Sequence, residues 1–167
     1  GKVFSKVMIP DTVLVLGPNH TGAGVPLSLF PRGIWSTPLG DVQINEPLNN
    51  LLLQHCPGLT HDVLAHEKEH SLEVQIPFLQ HLRDSVTISA ICVGTLDTDA
   101  LSELAGGIAT SISEYEGDVL ILASSDMTHF ESAAEAKHKD QLALDQISQM
   151  DPTGLLNVTR DRQISMC

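Results

Sequence analysis

Two stretches of this chain put chemistry-bearing side chains where an apolar run stops. In residues 12–24, TVLVLGPNHTGAG, a β-branched apolar run meets Gly17 and Pro18 and then presents Asn19 and His20. In residues 118–130, DVLILASSDMTHF, a second apolar run releases Ser124, Ser125, Asp126, Thr128 and His129. Histidine is a common metal ligand and carries protons near neutral pH. A carboxylate three residues before an imidazole, as in Asp126 and His129, can hold one tautomer and leave the ring to act as acid or base. In open α/β sheets, ligands collect outside the carboxyl ends of strands. The pattern therefore predicts one shared active site fed by both runs.

Residues 66–70 read HEKEH, a literal HExxH. On a helix this motif gives a zinc protease two ligands and a general base. Here the segment is charged throughout, and no third ligand follows: position 76 is Ile, and after Glu73 the next glutamate is Glu103. The expectation is a loop running into a helix start, with His66 not a ligand. His70 and Glu73 fall at the expected start of that helix, spaced i, i+3, where a helix N-terminus would lower the pKa of a nearby histidine. A capping role fits these two equally well. Cys56 and Cys92 read as packed structural residues. Cys167 is a lone cysteine, and three cysteines so scattered do not form a disulfide framework.

The elements that must position these side chains alternate. Apolar runs at 12–16, 86–93 and 118–123 read as buried strands, and short hairpin strands are expected around 27–29 and 41–44. Helical spacing of apolar residues marks 46–54, 71–83, 98–115 and 132–150, with a short helix from 152 to 158 and the end of a helix at 1–9. Pro77 would kink or restrict the second of these. Residues 60–67 read as a short extended stretch. Strands alternating with helices imply βαβ units and a mainly parallel sheet covered on both faces, a three-layer α/β architecture. One domain spanning 1–167 is expected. Its raw sheet edges suggest an internal piece of a longer domain, incomplete at both ends.

Bulk properties narrow the partners. A chain of 167 residues with 42% hydrophobic content is long enough for a real core. The formal net charge of −12 argues against nucleic acid and anionic membrane, since phosphate binding needs positive charge. No run approaches the roughly 18 apolar residues of a membrane span, and the first residues lack a signal-peptide layout. A cytoplasmic location is expected.

Four segments taken together, LGPNHTG (16–22), TPLGDV (37–42), EHSLEVQIPFLQ (69–80) and SSDMTHF (124–130), resemble the Memo family, also called AmmeMemoRadiSam system protein B. The resemblance covers the whole chain in order. It implies a fold like that of the class III extradiol ring-cleaving dioxygenases, and a mononuclear metal site. By the resemblance, His20 and Cys167 are metal ligands, and the third ligand is a histidine of an upstream PHAGY-type motif that this chain lacks. Asp126, His129, Glu69 and His70 match family active-site positions. The implied cofactor is one transition metal ion, Fe(II) or Cu, with Zn also compatible; a thiolate in the set shifts preference toward copper or zinc. The expected function is a metal-dependent, dioxygenase-like oxidoreductase of unknown substrate. In it His129, oriented by Asp126, moves a proton, and His70 and Glu69 hold substrate or support the ligands. The rival is a non-catalytic adaptor whose cleft binds metal or a peptide. A small-molecule or peptide ligand in the cleft and radical-SAM pathway partners complete the expectation.

Overall fold

The computed structural model describes residues 2–166. Seven strands form one mixed sheet. Its centre is β1 (Thr12–Pro18), paired in parallel with β6 (Thr87–Val93) on one side and β7 (Val119–Ala123) on the other. β6 shares its far edge between two partners. β4 (Gly40–Ile44) runs parallel to its start, and β2 (Leu27–Leu29) runs antiparallel to its end. β3 (Ile34–Thr37) closes a hairpin onto β4, and β5 (Thr60–His61) adds to β2. The architecture is α/β with mostly parallel strands, as expected.

The apolar runs are continuous because β1 and β6 are covered on both faces. Val13, Val15, Ile88, Ala90 and Cys92 face one layer, which includes Leu72, Ile76 and Leu79 of the segment leading into and through α2 (Ile76–Leu82). Leu14 and Ile91 face the other, built from α1 (Glu46–His55) and α3 (Thr98–Glu114) through Leu48, Leu52, Leu104 and Ile108. By Cα packing, Gly1–Ser124 and Ser125–Cys167 are separate compact units. The second contains α4 (Ala133–Ser148), capped by Ser132 (Glu135 N–H, 3.3 Å), and α5 (Pro152–Asp161), capped by Asp151 (Gly154 N–H, 2.8 Å).

Several local expectations change. The hairpin joins β3 to β4, not β2 to β4, because β2 pairs with the end of β6 instead. Residues 60–67 are extended only at Thr60–His61 and then turn. The N-terminal helix reduces to one 3-10 turn, Phe4–Lys6. The helix expected over 71–83 begins late: a 3-10 turn, Glu73–Gln75, precedes α2. Pro77 does not kink α2. It occupies the first helical turn, where its missing N–H is no loss. Leu82 is 47% exposed, since α2 ends there.

Asn45 ties the entry of α1 to the sheet. Its Oδ1 accepts the Leu48 N–H (2.9 Å), capping the helix, while its Nδ2 lies within hydrogen-bond distance of Tyr115 Oη (2.8 Å), Thr87 Oγ1 (3.0 Å) and Thr12 Oγ1 (3.1 Å). One buried side chain thus serves β1, β6, α1 and the end of α3. Asn45→Ala is expected to cost about 1–2 kcal/mol in urea unfolding, by losing the cap of α1 and the amide that joins the three hydroxyls. A change under about 0.5 kcal/mol, the scale of a neutral surface substitution, would show the network carries no stability.

Candidate functional site

The chain leaves β1 through Gly17 and Pro18 and is held at once: the Asn19 N–H donates to Val93 O at the end of β6 (2.9 Å). The Asn19 side chain then builds the following loop. Its Oδ1 accepts from Thr21 Oγ1 (2.9 Å) and the Gly22 N–H (2.9 Å), and its Nδ2 donates to Ala23 O (2.7 Å). His20 is thereby fixed just past the carboxyl edge of the central strand.

Residues 69–71 come up against this turn. Ser71 Oγ donates to Pro18 O (3.1 Å). The approach depends on Gly17, where an added Cβ would lie 2.8 Å from Ser71 Oγ and 3.0 Å from Leu72 Cδ1. The Glu69 carboxylate, fully buried, then reaches back to His20. Oε2 accepts the His20 N–H (2.6 Å), and Oε1 accepts from His20 Nδ1 (2.8 Å) and from the His70 and Ser71 N–H groups (2.9 Å each). Burial is the largest single influence and raises the Glu69 pKa. The hydrogen bonds from the His20 ring and from the Ser71 and His20 N–H groups together overcome it and hold the group down at about 2.

An ionised carboxylate only accepts hydrogen bonds, so Nδ1 of His20 is the donor. Whenever the ring is neutral its lone pair therefore lies on Nε2. His70 stacks on the His20 ring, centroids 5.0 Å apart and planes at 23°. Donor atoms of His20, Glu69 and His70 all lie within 4.8 Å of one another, so the group could hold a metal ion. Two imidazoles and a carboxylate are a donor set suited to divalent first-row metals. The His70 segment precedes any helix, so the expected effect of a helix N-terminus on it has no structural basis; Glu73 opens only the short 3-10 turn. Residues 66–68 are turn and 69–70 irregular, so the segment is not regular helix, as expected from its charge pattern.

Asp126 and His129 lie in the second unit and meet there. His129 Nε2 is 3.2 Å from Asp126 Oδ2, and Nδ1 is 2.8 Å from the Ser165 carbonyl. The Ser165 hydroxyl oxygen also accepts the His129 N–H (2.8 Å). Both ring nitrogens face acceptors, which favours the doubly protonated ring. The Ser165 carbonyl contributes most to raising the His129 pKa above its ordinary value; burial, next in size, opposes it, and the hydrogen bond and charge of Asp126 add to the rise. Sequence reasoning pairs Asp126 with His129 but misses Ser165, whose distance in sequence gives no signal. Cys167, expected as a ligand, lies outside the described residues.

A central strand that leads to a histidine held by a buried carboxylate defines an α/β protein with a metal-capable cluster at a strand end. The profile of the family described as Memo-like protein matches residues 1–167. A MEMO1 family protein of Sulfurisphaera tokodaii is 42% identical over 161 residues, covering 95% of this chain and 57% of the relative. One of Pyrobaculum arsenaticum is 40% identical over 158 residues (95% and 56%), and one of Thermotoga maritima 39% over 158 (95% and 57%). The chain belongs to the Memo family. It spans 57% of the length of the first of these relatives. Among the described residues no helix is long and apolar enough to cross a membrane.

Two measurements check this site. A carboxyl depressed from 4.5 to about 2 contributes stability that is fully present above pH 4.5 and is lost as pH falls toward 2. Urea unfolding across that window should show wild type losing more stability than Glu69→Gln, and equal losses would contradict the buried, ionised carboxylate. For His129, NMR titration should give a pKa above the ordinary 6.5 that moves down in Asp126→Asn. A value unmoved by that substitution would remove Asp126 from the pair.

Proposed function

We propose that this chain holds one transition-metal ion through Nε2 of His20, as part of a mononuclear, dioxygenase-like metal-dependent oxidoreductase. The observation that carries the reading is the buried Glu69–His20 hydrogen bond. It sets the tautomer a ligand needs and fixes the ring plane, the task carboxylates perform behind metal-bound histidines. When bound, Fe(II) or Cu would supply Lewis acidity toward a substrate oxygen together with one-electron redox chemistry, and Zn the first alone. Glu69 orients the imidazole. His70, 64% exposed at its side chain, lies on the face of His20, where it can add a second nitrogen or contact substrate. His129 is assigned the role of a proton donor, in keeping with acceptors at both its nitrogens. The donor set fits Fe(II), Cu and Zn alike.

Anaerobic calorimetric titration of Fe(II), Cu(I) and Zn(II) into the chain tests it. His20→Ala should abolish or strongly weaken binding of the preferred ion. Glu69→Gln should weaken it about 10–100-fold while His20 remains in place. Circular dichroism confirms that both variants are folded. Affinity unchanged by either substitution would rule the site out.

A further inference from the structure

His129 is gripped from two sides, and the two grips differ in how far they can yield. On the Nδ1 side stands the Ser165 carbonyl, 2.8 Å away. The Ser165 hydroxyl acts on the same residue in both directions. Its oxygen accepts the His129 N–H (2.8 Å), and it donates to His129 O (3.2 Å). One serine thus ties down both main-chain polar groups of residue 129 and one nitrogen of its ring. The serine is anchored in turn by its neighbour: Ile164 is buried, and its N–H donates to Thr159 O in α5 (2.8 Å). On the Nε2 side stands Asp126 Oδ2, 3.2 Å away on a side chain that is 55% exposed. A carbonyl fixed in the main chain cannot turn aside, whereas an exposed carboxylate can turn to water with little loss. The backbone is strained on both sides of the grip. Phe130, next to His129, has φ 60°, and Gln163, two residues before Ser165, has φ 50°. Left-handed backbone is unfavourable for a residue with a β-carbon. Such residues persist where the surrounding contacts over-determine them, and they cluster at functional sites.

We propose that Ser165, not Asp126, is the positioning residue of His129, and that the proton His129 gives up is the one on Nε2. The two possible neutral rings are unequal. Loss of the Nδ1 proton would leave that lone pair facing the Ser165 carbonyl oxygen at 2.8 Å, two acceptors with no proton between them and no freedom to part. Loss of the Nε2 proton leaves a lone pair opposite Asp126, at a longer distance and with a partner that can rotate into water. The second loss is the less unfavourable, so the neutral ring keeps its proton on Nδ1. In the transfer the Nε2–H bond breaks and its electron pair stays on the ring. The proton bonds to a lone pair of the acceptor, and the imidazolium becomes a neutral imidazole still bound to Ser165. Asp126 lies at the departing nitrogen, where its charge favours the protonated ring beforehand and does not choose the tautomer. The assignment rests on the proton-donor role proposed for His129, but the tautomer itself involves neither His20 nor a metal ion.

Long-range ¹H–¹⁵N correlation NMR of the metal-free chain at roughly pH 9, well above the ordinary histidine pKa of about 6.5, reads the neutral ring. Wild type and Asp126→Ala should both show a protonated Nδ1 and an acceptor-type Nε2 on His129. Ser165→Ala is an exposed change, and circular dichroism confirms that the variants are folded. It should give a mixture of tautomers on His129. At neutral pH it should also speed exchange of the His129 amide proton about fivefold, the scale of one lost hydrogen bond. Ser165→Thr, which keeps the hydroxyl, should restore the single tautomer and the slow amide. A wild-type ring protonated on Nε2, a tautomer that switches in Asp126→Ala, or a Ser165→Ala ring identical to wild type would each overturn the proposal. Absent His20-dependent metal binding with this tautomer pattern intact would count against the metal site alone.

Discussion

The site depends on one buried charge. The Glu69 carboxylate sits inside the protein, and among the described residues no lysine or arginine is bonded to it. It is held instead by three main-chain N–H groups and one imidazole. A carboxylate can be kept ionised in that way when enough donors converge on it. The convergence is expensive to arrange, and much of the local structure follows from it. The turn after β1 must present the His20 N–H and ring together. The 69–71 segment must pass close enough to offer two more N–H groups. Gly17 must lack a side chain for that segment to approach, and Ser71 must reach Pro18 to hold it there. Loosening any one of these leaves a buried charge short of donors, which is among the costliest defects a core can hold.

The sheet supplies the rigidity this needs. β1 is buried between β6 and β7 and covered by apolar layers on both faces. Its carboxyl end is pinned further by Asn19 on Val93 and by the Ser124 N–H on Leu16 O (2.7 Å). A histidine placed two residues beyond such a strand has little freedom left for its backbone, and Glu69 removes most of what its ring retains. A site built this way starts near its working geometry, which limits the ordering that ligand capture would otherwise require.

Much of this could be read in the amino-acid order, for a definite reason. The runs of β1 and β6 are apolar because both faces of the sheet are covered there, so burial writes itself into composition. β7 reads the same way but is only half-buried, with Ile121 48% exposed. The position of His20 follows from a strand followed by Gly17 and Pro18. Glu69 and His70 are visible as a pair and are matched by the family resemblance. What the sequence does not show is the direction of Glu69, because its partner is 49 residues away and a carboxylate beside two turns looks like any solvated charge. The late start of α2 is hidden for a similar reason. Leu72, Ile76 and Leu79 keep helical spacing and are buried, yet the backbone reaches them by a 3-10 turn before Pro77 fixes the true first turn. HEKEH misleads in the opposite direction: its spacing suggests a metal helix, while the chain makes a turn and places His66 against Trp35 and Phe30. Ser165 beside His129 had no signal at all, since a backbone carbonyl contributes the same atom whatever its residue.

The central claim is that Glu69 fixes His20 with the proton on Nδ1 and the lone pair on Nε2. Long-range ¹H–¹⁵N correlation NMR of the ring reads this directly. At roughly pH 8, above the ordinary histidine pKa of about 6.5, the account predicts a protonated Nδ1 and an acceptor-type Nε2 for His20 in the metal-free chain. A His20 ring protonated on Nε2, or averaging between tautomers as an unrestrained surface histidine does, would contradict it.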